Sequence, residues 1–259
     1  MTPRRQEKPA IRLNRYLASA GITSRRKADE LIRQGQVRVN GKPVTALGTT
    51  IDPSADRVMV GAREVVLLDE PVYIVLNKPK DTITTTHDER GRHSTADIVR
   101  VRERIFPVGR LDRNTTGVLL LTNDGEFANL LMHPRHGVTK AYRVTIDKPL
   151  AREHASELER GVRLKDGMTG PAEVHIIPGG KHCVIGIVIH EGKNRQVHRM
   201  FEKLGYSVEK LDRVAYGGLT IEGLPRGRWR YLTKGEVARL RSNASGDAPG
   251  SGGARKRNL

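Results

Sequence analysis

The chain is poor in sulfur and in aromatic rings. One cysteine, Cys183, stands among 259 residues, which excludes an internal disulfide framework and suits a reducing compartment. Aromatic residues make up 4%, and no apolar run approaches the roughly 18 residues of a membrane span. No basic amphipathic stretch carries the large aromatic face of a helix that lies on lipid. The first ten residues are basic and polar, without the apolar segment of a secretory leader. A cytoplasmic protein with no membrane partner is expected. Gly-rich phosphate loops of the Walker or dinucleotide type are also missing, and no Ser-His-Asp arrangement can be traced. His175, His182, Cys183 and His190 lie close together, but His182 and Cys183 are strand neighbours facing opposite ways and the spacing matches no zinc motif, so no metal site is expected.

Positive charge is what the chain has in excess. Lys and Arg number 46 against 29 Asp and Glu, a formal net charge of +17, which points to a polyanion bound through phosphate neutralisation. At 37% hydrophobic residues there is still material for a real core, and the length suits two domains. Residues 1–45 hold 11 Lys and Arg against 3 Asp and Glu, so they carry +8 of the total.

A basic extension, residues 1–10, thus leads into a small domain at 11–70. Leu13, Tyr16, Leu17 and Ala20 recur at helical spacing before Gly21. Ser24 then opens a second helix, with Ala28, Leu31 and Ile32 inward and Gly35 at its end. Val37 and Val39 alternate into Asn40-Gly41, a hairpin turn signal, with Val44 on the return strand. Arg25, Arg26 and Lys27 occupy the first turn of the second helix, where the macrodipole opposes positive charge. A phosphate docked there would relieve the conflict.

A larger domain spans 71–241, with strands expected at 72–76, 118–121, 142–146 and 183–189 and helices at 126–132, 152–160 and 196–204. This irregular alternation predicts an α+β fold on a mixed, largely antiparallel sheet. Residues 242–259 read as a disordered basic tail.

Four pieces of the larger domain carry chemistry. Gly109-Arg110-Leu111-Asp112-Arg113-Asn114-Thr115-Thr116-Gly117 sets one carboxylate between two arginines, with glycines that let the backbone turn on either side. Flanking cations favour an ionised carboxylate, as an anionic nucleophile requires. A surface loop in which Asp112 caps a helix or pairs with Arg110 is the simpler alternative. Tyr142 starts a strand, where a phenol can stack on a base and transfer a proton, or pack across the sheet. In 190–201, Gly192 turns the chain and Asn194 caps a helix that buries Val197, Met200, Phe201 and Leu204. Arg195 and Arg199 then stack on one side, with Arg195 placed to meet an acid such as Asp112. Lys210 and Arg213 could hold phosphates or be a solvated strand edge.

The run from Gly109 to Gly117, followed by Leu121-Thr122-Asn123-Asp124-Gly125, resembles the signature of bacterial ribosomal RNA pseudouridine synthases of the RsuA/RluB/RluE/RluF group. Asn77-Lys78-Pro79, Lys140-Ala141-Tyr142 and Glu191-Gly192-Lys193-Asn194-Arg195-Gln196-Val197 follow in the order of that family. The resemblance implies an αL-type RNA-binding domain, like that of a small-subunit ribosomal protein, ahead of a pseudouridine synthase catalytic domain. It implies that Asp112 is the nucleophile, that Tyr142 lines the uracil pocket, and that Arg195 holds Asp112 through a salt bridge. It also implies that Arg110 enters the RNA stack in place of the flipped base. Arg25, Arg26, Lys27, Lys78, Lys193, Arg199, Lys210 and Arg213 complete the expected RNA contacts.

Three positions depart from the family pattern: Asp81 stands where glycine is usual, Ala141 where threonine is, and His198 where arginine is. The expected reaction is site-specific conversion of uridine to pseudouridine in ribosomal RNA or an assembling subunit, by a monomer needing no cofactor. Asp88 to Gly91 and the Gly-Gly-Leu-Thr at 217–220 favour the large-subunit branch over the small-subunit one. A non-catalytic ribosome assembly factor would explain the charge, but would not require Asp112, Tyr142 and Arg195 together.

Overall fold

The computed structural model describes residues 10–67, 70–86, 88–177 and 183–246. The extension before residue 10, His182 and the tail beyond 246 lie outside them. The chain divides into two compact units, Met1–Pro71 and Val72–Leu259.

In the first unit, strand β1 (Ile11–Arg12) leads into helices α1 (Leu13–Ser19) and α2 (Arg25–Arg33), followed by strands β2 (Val37–Val39), β3 (Lys42–Pro43), β4 (Thr50–Ile51), β5 (Val58–Val60) and β6 (Arg63–Glu64). The sheet order is β3-β2-β5-β6, with β1 and β4 forming a separate pair. Leu13, Leu17, Ala28 and Ile32 close the core between the helices and Val37 and Val58 of the sheet. Ser24 caps α2 by accepting the Lys27 N–H, and Arg25, Arg26 and Lys27 are exposed on its first turn. Asn40 and Gly41 both take positive φ, 52° and 81°, as a two-residue hairpin turn requires. The return strand is Lys42–Pro43 rather than Val44, which only donates its N–H to Val37.

The second unit begins with β7 (Tyr73–Lys78), α3 (Thr95–Ile98), β8 (Phe106–Val108), β9 (Thr116–Thr122), α4 (Gly125–Met132) and β10 (Lys140–Ile146). It continues through α5 (Arg152–Arg160), a small hairpin β11 (Arg163–Leu164) and β12 (Gly167–Met168), then β13 (Glu173–Ile177), β14 (Cys183–Ile189) and α6 (Gln196–Lys203). Strands β15 (Val208–Tyr216), β16 (Leu219–Thr220) and β17 (Trp229–Tyr231) precede the terminal helix α7 (Lys234–Ser245). Nine strands form one sheet whose main path is β13-β14-β10-β15-β9-β7-β17. Its pairings are antiparallel except β15 with β9, which run parallel. This is the α+β, mixed-sheet architecture that the alternation predicts.

Period-two alternation sorts the central strands between two cores. Ile74, Leu76, Leu119 and Leu121 point to the side covered by Leu158 of α5 and by Val197, Met200 and Phe201 of α6. Val75, Val118 and Leu120 point to the other side, against Phe127 and Leu131 of α4 and Leu240 of α7. Helix α7 takes in residues 242–245, which composition assigned to the tail. Thr233 and Glu236 form a capping box at its start, and Leu240 and Ala244 bury its inner face. No helix among the described residues is long and apolar enough to cross a membrane.

Candidate active site

The loop between β8 and β9 presents Asp112, and its backbone is held from several directions. Leu111 sinks into the core at 5% exposure. Thr84 Oγ1 donates to the Leu111 carbonyl at 2.7 Å and accepts the Leu111 N–H at 3.2 Å. The Gly109 N–H meets the Met132 sulfur at 2.9 Å, and the Thr115 N–H closes a turn on the Asp112 carbonyl at 3.1 Å. At the loop's C-terminal end Gly117 has φ 104°, and any Cβ there would run into the Arg213 backbone. Glycine is required by both conformation and space.

Beneath the loop lies Lys78, with no exposed surface. Its Nζ donates to the carbonyls of Pro79, Asp112 and Arg113 at 3.1 Å and of Thr115 at 2.9 Å. Three protons serve four acceptors, so one bond is shared. Burial pulls the ammonium down to about 8, against the opposing charge of Asp112. Lys78 is therefore a strut of the loop and not the RNA contact expected from sequence. Strand pattern shows that a lysine sits here but not that the chain folds over it.

Asp112 opens with 36% of its side chain exposed into a cleft of about 900 Å³. Neither neighbouring arginine neutralises it. Arg113 pairs with Asp81 at 3.0 Å, and Arg110 is exposed on the rim of the cleft. Asp81 itself has φ 58°, a left-handed conformation that explains why glycine suits that position.

Tyr142 forms part of the cleft wall on β10, at 8% exposure. A bulge between Ala141 and Tyr142 sets it opposite Arg213 on β15, while Ile187 of β14 flanks it on the other side. Bulges of this kind re-aim a side chain out of the regular pleat. The tyrosine both packs in the core and faces the cleft. Arg213 is 3% exposed; its Nε donates to the Val118 carbonyl at 2.7 Å, and its guanidinium lies 4.9 Å from the Tyr216 ring centroid. It braces the cleft wall and does not project as a phosphate ligand. Lys210 is exposed on β15 and lies outside the cleft lining.

The turn into α6 supplies the opposite wall. Glu191 Oε1 accepts from Gln196 Nε2 at 2.6 Å and from the Gly170 N–H at 2.9 Å, which engages the only other carboxylate lining the cleft among the described residues. Lys193 donates from Nζ to the Met168 carbonyl at 2.7 Å. The helix cap is Arg195, not Asn194, and it takes φ 46°.

Here the structure corrects the expected salt bridge. Arg195 Nη2 lies 3.4 Å from Glu202 Oε1, and the side chain facing Asp112 is the His198 imidazole, with Nδ1 3.9 Å from Oδ2. Arg195, the left-handed cap of α6, lines the same cleft as Asp112 but has Glu202 as its ion-pair partner. Arg199 is also engaged, its guanidinium meeting both Asp166 oxygens at 2.8 and 3.1 Å.

Sequence reasoning missed two contributors. Lys140 lines the cleft beside Tyr142 with its Nζ on the Val138 carbonyl at 2.8 Å, and burial with the nearby Arg213 charge takes it down to about 8. His198 had a signal in its helical spacing from Arg195. No group of three His, Cys, Asp or Glu among the described residues is arranged to hold a metal ion.

Comparison with known proteins gives this geometry its chemistry. A family model described as RNA pseudouridylate synthase matches residues 72–203, and an S4 domain model matches residues 11–57. The chain is 46% identical to ribosomal large subunit pseudouridine synthase B of Bacillus subtilis, over 90% of this chain and 96% of that protein. It is 37% identical to the dual-specificity RNA pseudouridine synthase RluF of Escherichia coli, over 89% of this chain and 78% of that one. A solved structure titled as the crystal structure of pseudouridylate synthase superimposes with a TM-score of 0.66 at 29% identity, covering 89% of this chain and 99% of the other. With Asp112 lining the cleft inside the matched region, the chain belongs to the RNA pseudouridine synthases, with an S4 domain ahead of the catalytic one.

Proposed function

We propose that this protein isomerises uridine to pseudouridine in large-subunit ribosomal RNA, with Asp112 as the nucleophile. One observation carries the assignment of residues: among the described residues, Asp112 is the cleft carboxylate left facing open space, on a backbone fixed by Lys78 and Thr84. The large-subunit substrate follows the Bacillus subtilis relative, whose name specifies that subunit.

The reaction breaks the N1–C1′ bond of a uridine, turns the base, and rejoins it through C5. The base must first leave its stack, at a cost of a few kcal/mol that backbone contacts and stacking offset. Asp112 acts at ribose C1′, and the uracil stays bound as a stabilised anion. A glycoside hydrolase needs a second carboxyl as a protonated acid, whereas here Glu191 is engaged by Gln196 and Gly170. Tyr142 stacks on the freed base; as C5 loses its proton to the phenol oxygen the phenol passes its own to solvent, and N1 of the rejoined base takes up a proton from solvent, so the exchange is neutral overall. Arg110, exposed on the rim, fills the space that the flipped base vacates. Arg25, Arg26 and Lys27 on α2 carry phosphate contacts of the first unit. The protein works as a cytoplasmic monomer on ribosomal RNA or an assembling subunit.

The test is to incubate ribosomal RNA and immature subunits with the wild type and with Asp112→Asn, then map pseudouridine by carbodiimide adducts and primer extension. A new stop in large-subunit RNA that Asp112→Asn lacks supports the assignment. Tight RNA binding without modification of any subunit or precursor overturns it in favour of an assembly factor.

A further inference from the structure

His198 is 15% exposed, and its Nδ1 is buried without a hydrogen-bond partner, aimed at Asp112 Oδ2 from 3.9 Å. An unpartnered buried nitrogen costs free energy unless something completes it. The free-state gap is about 1 Å beyond a hydrogen bond, within the looseness typical of catalytic contacts before substrate binds. The groups around the ring are few. On its own helix stand Arg195 and Glu202, and across the cleft stands Asp112. Arg213 lines the same cleft from β15 with its Nε on the Val118 carbonyl, and Asp166 of the β11–β12 hairpin is paired with Arg199.

We propose that His198 is the positioning residue for Asp112: in the RNA-bound cleft its imidazolium closes on the carboxylate and fixes the direction from which Asp112 meets the ribose. The proposal rests on the function given above and adds that this synthase carries a titratable group where the family resemblance expects a permanently charged arginine. Burial and Arg195 disfavour the imidazolium in the free protein, while Asp112 and Glu202 favour it. Phosphates entering the cleft add to the favourable side, so substrate binding draws a proton onto His198. The rate of the bound complex then falls as pH rises through that titration. An arginine at this position has no such limb.

Two experiments decide it. The first follows the His198 ring by NMR titration in free wild type and free Asp112→Asn, with the His198→Gln spectrum giving the assignment. Removing the carboxylate lowers the His198 pKa by about 0.7 of a pH unit or more if the two groups face each other. An unmoved titration overturns the coupling, whether or not the protein modifies RNA. The second measures single-turnover rates at saturating enzyme from about pH 5.5 to about pH 8.5. Wild type loses up to about tenfold per pH unit on the alkaline limb, His198→Arg restores a flat profile there, and His198→Gln is slow throughout without that limb. Superimposable profiles for wild type and His198→Arg, or a wild-type rate in His198→Gln, overturn the proposal. Wild type inactive at every pH overturns the proposed function instead, and the NMR titration then decides the coupling alone.

Discussion

Lys78 Nζ lies 3.1 Å from the Asp112 carbonyl oxygen and 2.9 Å from that of Thr115, so one buried ammonium ties both ends of the turn that carries the proposed nucleophile. Its charge is used on the backbone, and the Asp112 carboxylate is left to the cleft.

Lys78→Met keeps the bulk of the side chain but leaves the carbonyls without their donor. Expected is a loss of about 3 kcal/mol in unfolding free energy by urea titration. Pseudouridine formation should fall at least tenfold even at temperatures where the variant is fully folded, while RNA affinity stays near wild type. A normal turnover number would show that the loop holds itself.

Gly117→Ala asks L stereochemistry to adopt φ 104° against the Arg213 carbonyl. The parallel seam between β9 and β15 must then open, at a cost of about 3 kcal/mol or more. A thermal melt by circular dichroism reads this directly, and an unchanged midpoint would contradict the close approach.

Electrostatic contacts separate by salt dependence. Replacing Arg25, Arg26 and Lys27 together with Ala should reduce the slope of log K against log salt by about 2, since each phosphate contact contributes about 0.7 to 0.9. Arg199→Ala should leave that slope alone, because its guanidinium is held by Asp166. Filter binding of a ribosomal RNA fragment over a salt series measures both.

Acid should remove part of the stability that the start of the terminal helix contributes. Glu236 accepts two bonds from Arg230, at 2.9 and 2.8 Å, and its pKa is held down at about 2 by that guanidinium and the Thr233 cap. A carboxylate with a lowered folded-state pKa contributes stability that is complete above its ordinary value near 4.5 and drains away as pH falls toward 2. Urea midpoints should therefore drop across that window in wild type, with a smaller drop in Glu236→Gln, whose side chain does not titrate.

Elements defined by local pattern were legible in the sequence. Helix α5 and strand β14 begin and end where spacing and glycine place them, and the Asp112 loop is visible in its residue string. Strand β13 was not, because it lies at the sheet edge with Glu173, His175 and Ile176 exposed, so it shows no buried stripe. The end of α7 reads as linker in composition and is helical because its capping box and Leu240 outweigh a polar Ser-Asn-Ala-Ser end. The fates of the cations were the least legible. Lys78, Arg199 and Arg213 look alike as surface charges in sequence, and only burial and long-range partners separate them. Arg195 pairs with Glu202 on its own helix and not with Asp112, a choice of partner that spacing alone does not reveal.

The meeting of Gly117 with Arg213 also bears on the order in which the chain is made. The first unit closes its own sheet within the first 65 residues, so its contacts are complete early in synthesis. The seat of Asp112 needs a strand almost a hundred residues further along, and such non-local pairing is slow to form. On the ribosome, the RNA-gripping module is therefore finished while the chemical centre is still half built, and a nascent chain acquires its hold on RNA before it acquires a reaction to perform there.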